Sequence, residues 1–147
     1  MKYSEAELGR VFVIKMEDGD RLPSLLEEFA NKKKIAAGVC LLVGGVKAGS
    51  RMVNGPLVEN QSPIQPIINE LAGVHEILAA GTIFPDEKGR PKLHMHASAG
   101  RAEKALTGCI RPGIEIWNVG EIILIEMKES SATRKRDSRL GFEMLST

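Results

Sequence analysis

The chain has 147 residues, 43% of them hydrophobic, 27% charged and 4% aromatic. That is the profile of a single globular domain able to bury a core without disulfide staples. Twenty Lys and Arg stand against nineteen Asp and Glu, a net charge of +1 with histidine neutral. The chain as a whole therefore exerts no general pull on phosphate, and a hold on DNA would need a local patch or several subunits side by side.

Glu5 and Glu7 precede any apolar run, which argues against a signal peptide. The longest apolar stretches, residues 36–43 and 122–125, are too short to cross a membrane. Cys40 and Cys109 form no CxxC pair and suit free thiols in a reducing cytoplasm.

In chain order, residues 10–16 are apolar and β-branched and read as a strand. Residues 17–20 make a turn, and Asp20 is placed to cap a following helix that tolerates Pro23 in its first turn. Leu22, Leu25, Leu26, Phe29 and Ala30 recur at helical spacing, and Lys32, Lys33 and Lys34 suit the helix C-terminus. Residues 39–43 read as a buried strand with Cys40 as inert packing. Gly44 and Gly45 then read as a bulge or tight bend, because no phosphate-loop pattern surrounds them. Strand character resumes over residues 46–53, and the prolines at 56, 63 and 66 supply turn and edge chemistry.

The second half is nearly all strand. Residues 74–84 and 91–98 flank a hairpin loop at 86–89, and residues 105–110, 114–118, 121–127 and 140–145 follow as further strands. One short helical turn is expected near residues 100–104. Connections this short exclude repeated βαβ crossovers. The expected fold is therefore one α+β domain over residues 1–147, with a mostly antiparallel sheet and one main helix. Arg134, Lys135 and Arg136 form a basic cluster, read as an exposed loop before the last strand.

The chain has three histidines. His94 and His96 sit at i and i+2 in one strand, so both rings point to the same face, about 7 Å apart at Cα. Rings so placed can lean onto one ion held at about 2.0–2.1 Å. His75 opens the preceding strand, and pairing of the two strands would let it approach the same place. These residues are candidate ligands for a divalent metal, with zinc the ion best suited to imidazoles and nickel, cobalt or iron able to fit as well. Three protein ligands would leave a position for water or a substrate, whereas Cys109 as a fourth would close the site. Glu76 alternates to the face opposite His75 and is a poor general base there; no nucleophile motif surrounds Ser98.

Together these pieces resemble the plants and prokaryotes conserved (PPC) domain. The matching residues are Gly9 with the strand to Lys15, Asp18-Gly19-Asp20, and the helix with Leu25 and Phe29. They continue through Gly38 to Gly45, Glu76-Ile77-Leu78 with Gly81, Gly89-Arg90-Pro91 with His94-Met95-His96, and Gly120-Glu121. The resemblance implies a largely antiparallel sheet of about seven strands, assembled as a homotrimer. It also implies a metal site built on the HxH pair, His94 and His96, and a later histidine. Cys109 stands where that later histidine would be, so the third ligand becomes Cys109 as a thiolate, or His75.

Plant relatives contact DNA through an attached AT-hook, an Arg-Gly-Arg-Pro core for the minor groove. Here Lys88-Gly89-Arg90-Pro91 follows two acidic residues and reads as a turn. Three functions are thus expected in descending order. The first is a trimeric metal-binding protein of unassigned task. The second is a DNA-binding or regulatory trimer using basic loops such as residues 134–139. The third is a metal-dependent enzyme on a small-molecule ligand.

Overall fold

A computed structural model describes residues 1–147. In chain order the elements are β1 (Glu7–Met16), β2 (Arg21–Leu22), α1 (Ser24–Lys33), β3 (Ala37–Val46), β4 (Arg51–Pro56) and β5 (Pro66–Glu70). They continue with β6 (His75–Pro85), β7 (Pro91–Arg101), β8 (Lys104–Cys109), β9 (Ile114–Lys128), β10 (Thr133–Arg136) and β11 (Glu143–Ser146). One nine-stranded sheet runs β1-β9-β3-β6-β7-β8-β4-β5, with β2 paired to β9 off that path. Every neighbour in it is antiparallel. The α+β architecture expected from the strand count holds, and the strands number eleven rather than about seven, nine in the main sheet and β10 and β11 in a separate one.

Period-two alternation gives the sheet two faces. The inner face carries Cys40 and Leu42 of β3, Ile77 and Ala79 of β6, Met95 and Ala97 of β7, and Ile122 and Leu124 of β9, all buried. Leu26 and Ala30 of α1 belong to the same core. The helix is tied to β7 by Glu27, whose carboxylate accepts from the Leu93 N–H at 3.1 Å and from Lys92 Nζ at 3.3 Å. At its C-terminus Lys34 adopts the left-handed conformation, and Lys32 and Lys33 lie in the last turn against the helix dipole.

Several local expectations change. The helix N-cap is Pro23, without a side-chain cap bond. Asp20 instead accepts the Glu17 N–H at 2.8 Å and closes the preceding turn. Residues 100–104 are not helical: Arg101 pairs with Lys104 across a two-residue turn, with Ala102 at φ 52. The two strands expected over 114–127 are one, β9, with a register shift opposite Gly44 and Gly45. Both glycines are required there, since a Cβ on Gly44 would collide with the Val119 carbonyl and one on Gly45 would sit 2.9 Å from the Trp117 carbonyl. Residues 39–43 are buried on one side only, leaving Leu41 and Val43 exposed on the outer face.

The basic cluster is the largest change. Residues 133–136 form β10, which pairs with β11 as a separate two-stranded sheet. Arg134 is buried at 5% exposure. It donates from Nη2 to Thr82 Oγ1 at 3.0 Å and from Nε to the Lys92 carbonyl at 3.3 Å, which holds β10 on the main sheet.

Candidate metal centre

The register of β6, β7 and β8 builds a cluster on the outer face. His94 lies opposite Thr82 and His96 opposite Ala80 across the β6–β7 hairpin. On the other side of β7, Cys109 lies opposite His96. Because cross-strand partners share a face, both imidazoles and the thiol emerge together. The Nε2 atoms of His94 and His96 are 3.1 Å apart, with the rings edge-to-face at 5.0 Å between centroids. One donor atom from each histidine and the Cys109 sulfur all lie within 4.8 Å of one another. Two nitrogens on a tetrahedral ion at the usual zinc distance would be about 3.4 Å apart. The three donors therefore fit such an ion with small side-chain adjustment.

Electrostatics favours the neutral form of His94. Its pKa is lowered to about 4, first by desolvation and then by the nearby charges of Arg134, His96 and Arg111. The ring is thus neutral at neutral pH, with a lone pair available to a cation. Cys109 is buried at 4% exposure, while both histidines keep a solvent-exposed part, His94 with its ring partly desolvated by its neighbours. The cluster opens on a cleft of about 640 Å³ whose far wall includes Leu140, Phe142 and Met144.

His75 does not join the cluster. It opens β6, next to the Glu76–Gly100 pair, whereas the other two histidines pair with Ala80 and Thr82. Its odd position puts it on the core side of the strand, the face opposite His94 and His96. Its Nδ1 lies 2.9 Å from the Gly73 carbonyl. Glu76 shares the outer face but lies four residues from Ala80 along β6, so it too is remote. Glu126 is occupied elsewhere, bonded to Arg10 Nη2 and Nε at 2.7 Å each.

The site also contains residues that sequence reading missed. Arg134, expected in an exposed loop, lines the same hollow as His94, and the Arg111 guanidinium carbon lies 5.2 Å from the Phe142 ring centroid. Residues 134–136 are all charged, so no period-two alternation in the sequence marks β10.

The family model of the Plants and Prokaryotes Conserved (PCC) domain matches residues 3–128. The chain belongs to this family. The match covers the whole main sheet and all three clustered donors, and stops short of β10 and β11. Solved structures align along most or all of the chain. A metal-containing protein from Archaeoglobus fulgidus superposes with a TM-score of 0.86 at 21% identity, and the match covers 100% of each chain. A plant- and prokaryote-conserved protein from Pyrococcus horikoshii superposes with a TM-score of 0.82 at 24% identity, again over 100% of each chain. A protein from Ralstonia eutropha named as a candidate DNA-binding protein gives 0.68 at 17% identity, over 92% of this chain and 90% of its own. Among curated proteins none matches. At these identities the structural likeness concerns the fold. No helix is long and apolar enough to cross a membrane.

Proposed function

We propose that this PCC-domain protein binds one divalent metal ion, zinc, through His94, His96 and Cys109, and works as a homotrimer in the cytoplasm. The observation that carries the reading is the convergence of three donors from two neighbouring strands on one point. Two imidazole nitrogens and a cysteine sulfur suit zinc better than magnesium or calcium, which favour oxygen. With His75 remote, three protein ligands leave the fourth position for water or a ligand, an arrangement suited to chemistry rather than to a closed structural site. The metal-containing relative supports the same reading. Bound metal would polarise whatever occupies the open position. His94 and His96, positioned by β7, and Cys109, positioned by β8, would hold the ion, and Arg134 ties β10 to the main sheet beside them.

Self-association is supported by the outer face. Val13, Ile123, Leu41, Ala80, His96, Cys109 and Val53 form one cross-strand row. The β1, β9 and β3 end of that row is apolar and exposed, with Val13 at 81% and Leu41 at 49%. Leu78 and Val43 flank it at 64% and 47%. An exposed apolar patch on a small sheet is suited to burial against another copy. Free Cys40 and Cys109 are in keeping with a reducing compartment. The DNA reading loses its leading contact, because the Arg134 side chain is buried and bonded.

Elemental analysis of tag-free protein tests the metal reading. About one zinc per subunit in the native chain, lost in His94→Ala/His96→Ala, is the expected result. Metal-free protein after zinc reconstitution would overturn it.

A further inference from the structure

The cleft beside the donors carries more positive charge than the fold needs. Two adjoining hollows, about 500 and 640 Å³, share His94, Arg111 and Arg134 in their walls. The smaller also takes in Arg90, Lys92 and Arg136. Arg90 is committed to Asp86, with an Nη2–Oδ2 distance of 2.7 Å, and Lys92 to Glu27 at 3.3 Å. Arg111, Arg134 and Arg136 have no carboxylate partner.

The arginines are also aimed at one place. Arg134 and Arg136 are two apart on β10 and so share a side of that strand. Arg134 is 95% withdrawn from solvent by its 5% exposure, yet its Nε and Nη2 bond only to neutral oxygens of Lys92 and Thr82. Its Nη1 has no protein partner while the side chain lines both hollows. Arg111 is held over the Phe142 ring, which fixes its guanidinium plane at the wall. Glu143 is the one uncommitted carboxylate in the cleft, cross-strand from Arg136 and without a salt bridge. Three guanidiniums against one carboxylate leave a surplus of positive charge in a concave, partly desolvated place.

From this we infer that the cleft binds a small molecule through an oxyanion, a carboxylate or phosphate group, held by the guanidiniums of Arg111, Arg134 and Arg136. Planar guanidinium forks match both groups with paired hydrogen bonds. The neighbouring donors give the inference its second half, which rests on the proposed metal reading: another donor atom of the same molecule reaches the open metal position beside His94. A small ligand fits better than DNA because all three cations line one hollow and Arg134 is buried, which leaves only Arg111 and Arg136 exposed. A duplex needs exposed cations along a surface.

Calorimetric titration of zinc-free and zinc-loaded protein with inorganic phosphate and with malonate, at physiological chloride, tests this. One of the two anions is expected to bind the zinc-free protein at one per subunit, which also tells phosphate from carboxylate. Affinity is expected to fall at least tenfold in Arg111→Gln/Arg136→Gln, variants chosen because Arg134 also holds β10 in place. Zinc is expected to tighten binding at least tenfold in the native protein and not in His94→Ala/His96→Ala. Absence of binding in both forms, or affinity within twofold in the double arginine variant, would overturn the inference. So would retention of duplex DNA alone, weakened by the same substitutions and by salt. Zinc content measured on the same samples separates the two readings. Full zinc without anion binding leaves the metal site standing, and anion binding without zinc leaves the arginine site standing.

Discussion

Cys40 and Cys109 are both buried thiols in strands of one sheet, yet their surroundings differ completely. Cys40 lies on the inner face of β3 at 0% exposure, and burial pushes its thiol up to about 12. It has no cation or imidazole to stabilise a thiolate and serves as a small apolar packing group. Cys109 is nearly as buried, but it lies on the outer face with two histidine nitrogens within 4.8 Å. Burial alone therefore does not separate an inert thiol from a candidate ligand. The face of the sheet and the cross-strand neighbours do.

The sharpest way to break this contrast is to remove each thiol in turn. Cys109→Ala is expected to lower zinc affinity at least tenfold, read by competition with a chromophoric chelator. Cys40→Ala is expected to leave zinc content unchanged and to cost about 1 kcal/mol of stability in urea unfolding, the usual size for a small core truncation. Equal zinc loss in both would erase the distinction between the faces.

The outer face can be tested next. Leu41→Glu with Leu78→Glu places charges in the middle of the apolar row, and sedimentation velocity is expected to show a monomer in place of a trimer. The inner core is untouched, so far-ultraviolet circular dichroism is expected to stay the same. A native protein that is already monomeric would remove the proposed role of that face.

A smaller effect concerns acid stability. Arg10 donates side-chain and backbone hydrogen bonds to Glu126 and holds its carboxyl down to about 2, against an ordinary 4.5. A depressed folded-state pKa adds stability that is full above 4.5 and lost as pH falls toward 2. Thermal unfolding followed across that window should show a falling midpoint, and Glu126→Gln should flatten this part of the curve. His94 acts in a higher window. Its pKa of about 4 means that the unfolded chain takes up this proton first, so stability declines as pH falls from 6.5 toward 4. His94→Gln should remove that contribution.

The smallest effect is expected at His75. His75→Ala should leave zinc content within error of the native value, because the residue lies at the other end of β6 and on its core side. Loss of zinc in this variant would require a different fold of the hairpin from the one described.

Much of the architecture was legible in the residues. Strand-forming runs marked β6, β7 and, as two pieces over 114–118 and 121–127, β9, and the short spacings between them argued against crossover helices. The errors lie where local signals are ambiguous. Residues 100–104 carry good helix formers, yet the pairing of β7 with β8 turns them into a hairpin. Residues 133–136 are charged enough to read as a loop, yet Thr82 and the Lys92 carbonyl supply the oxygen partners that let Arg134 be buried.

For the site, the sequence by itself determined that His94 and His96 point the same way, since period-two alternation is a property of any strand. It also carried the family resemblance that placed Cys109 near the pair. Only the tertiary structure brings Cys109, rather than His75, beside the pair. That choice depends on the register of three strands, which loop geometry and core packing set together and no single segment contains. The same holds for Arg134: its position is a matter of which strand β10 meets, and its burial follows from the oxygens it finds there.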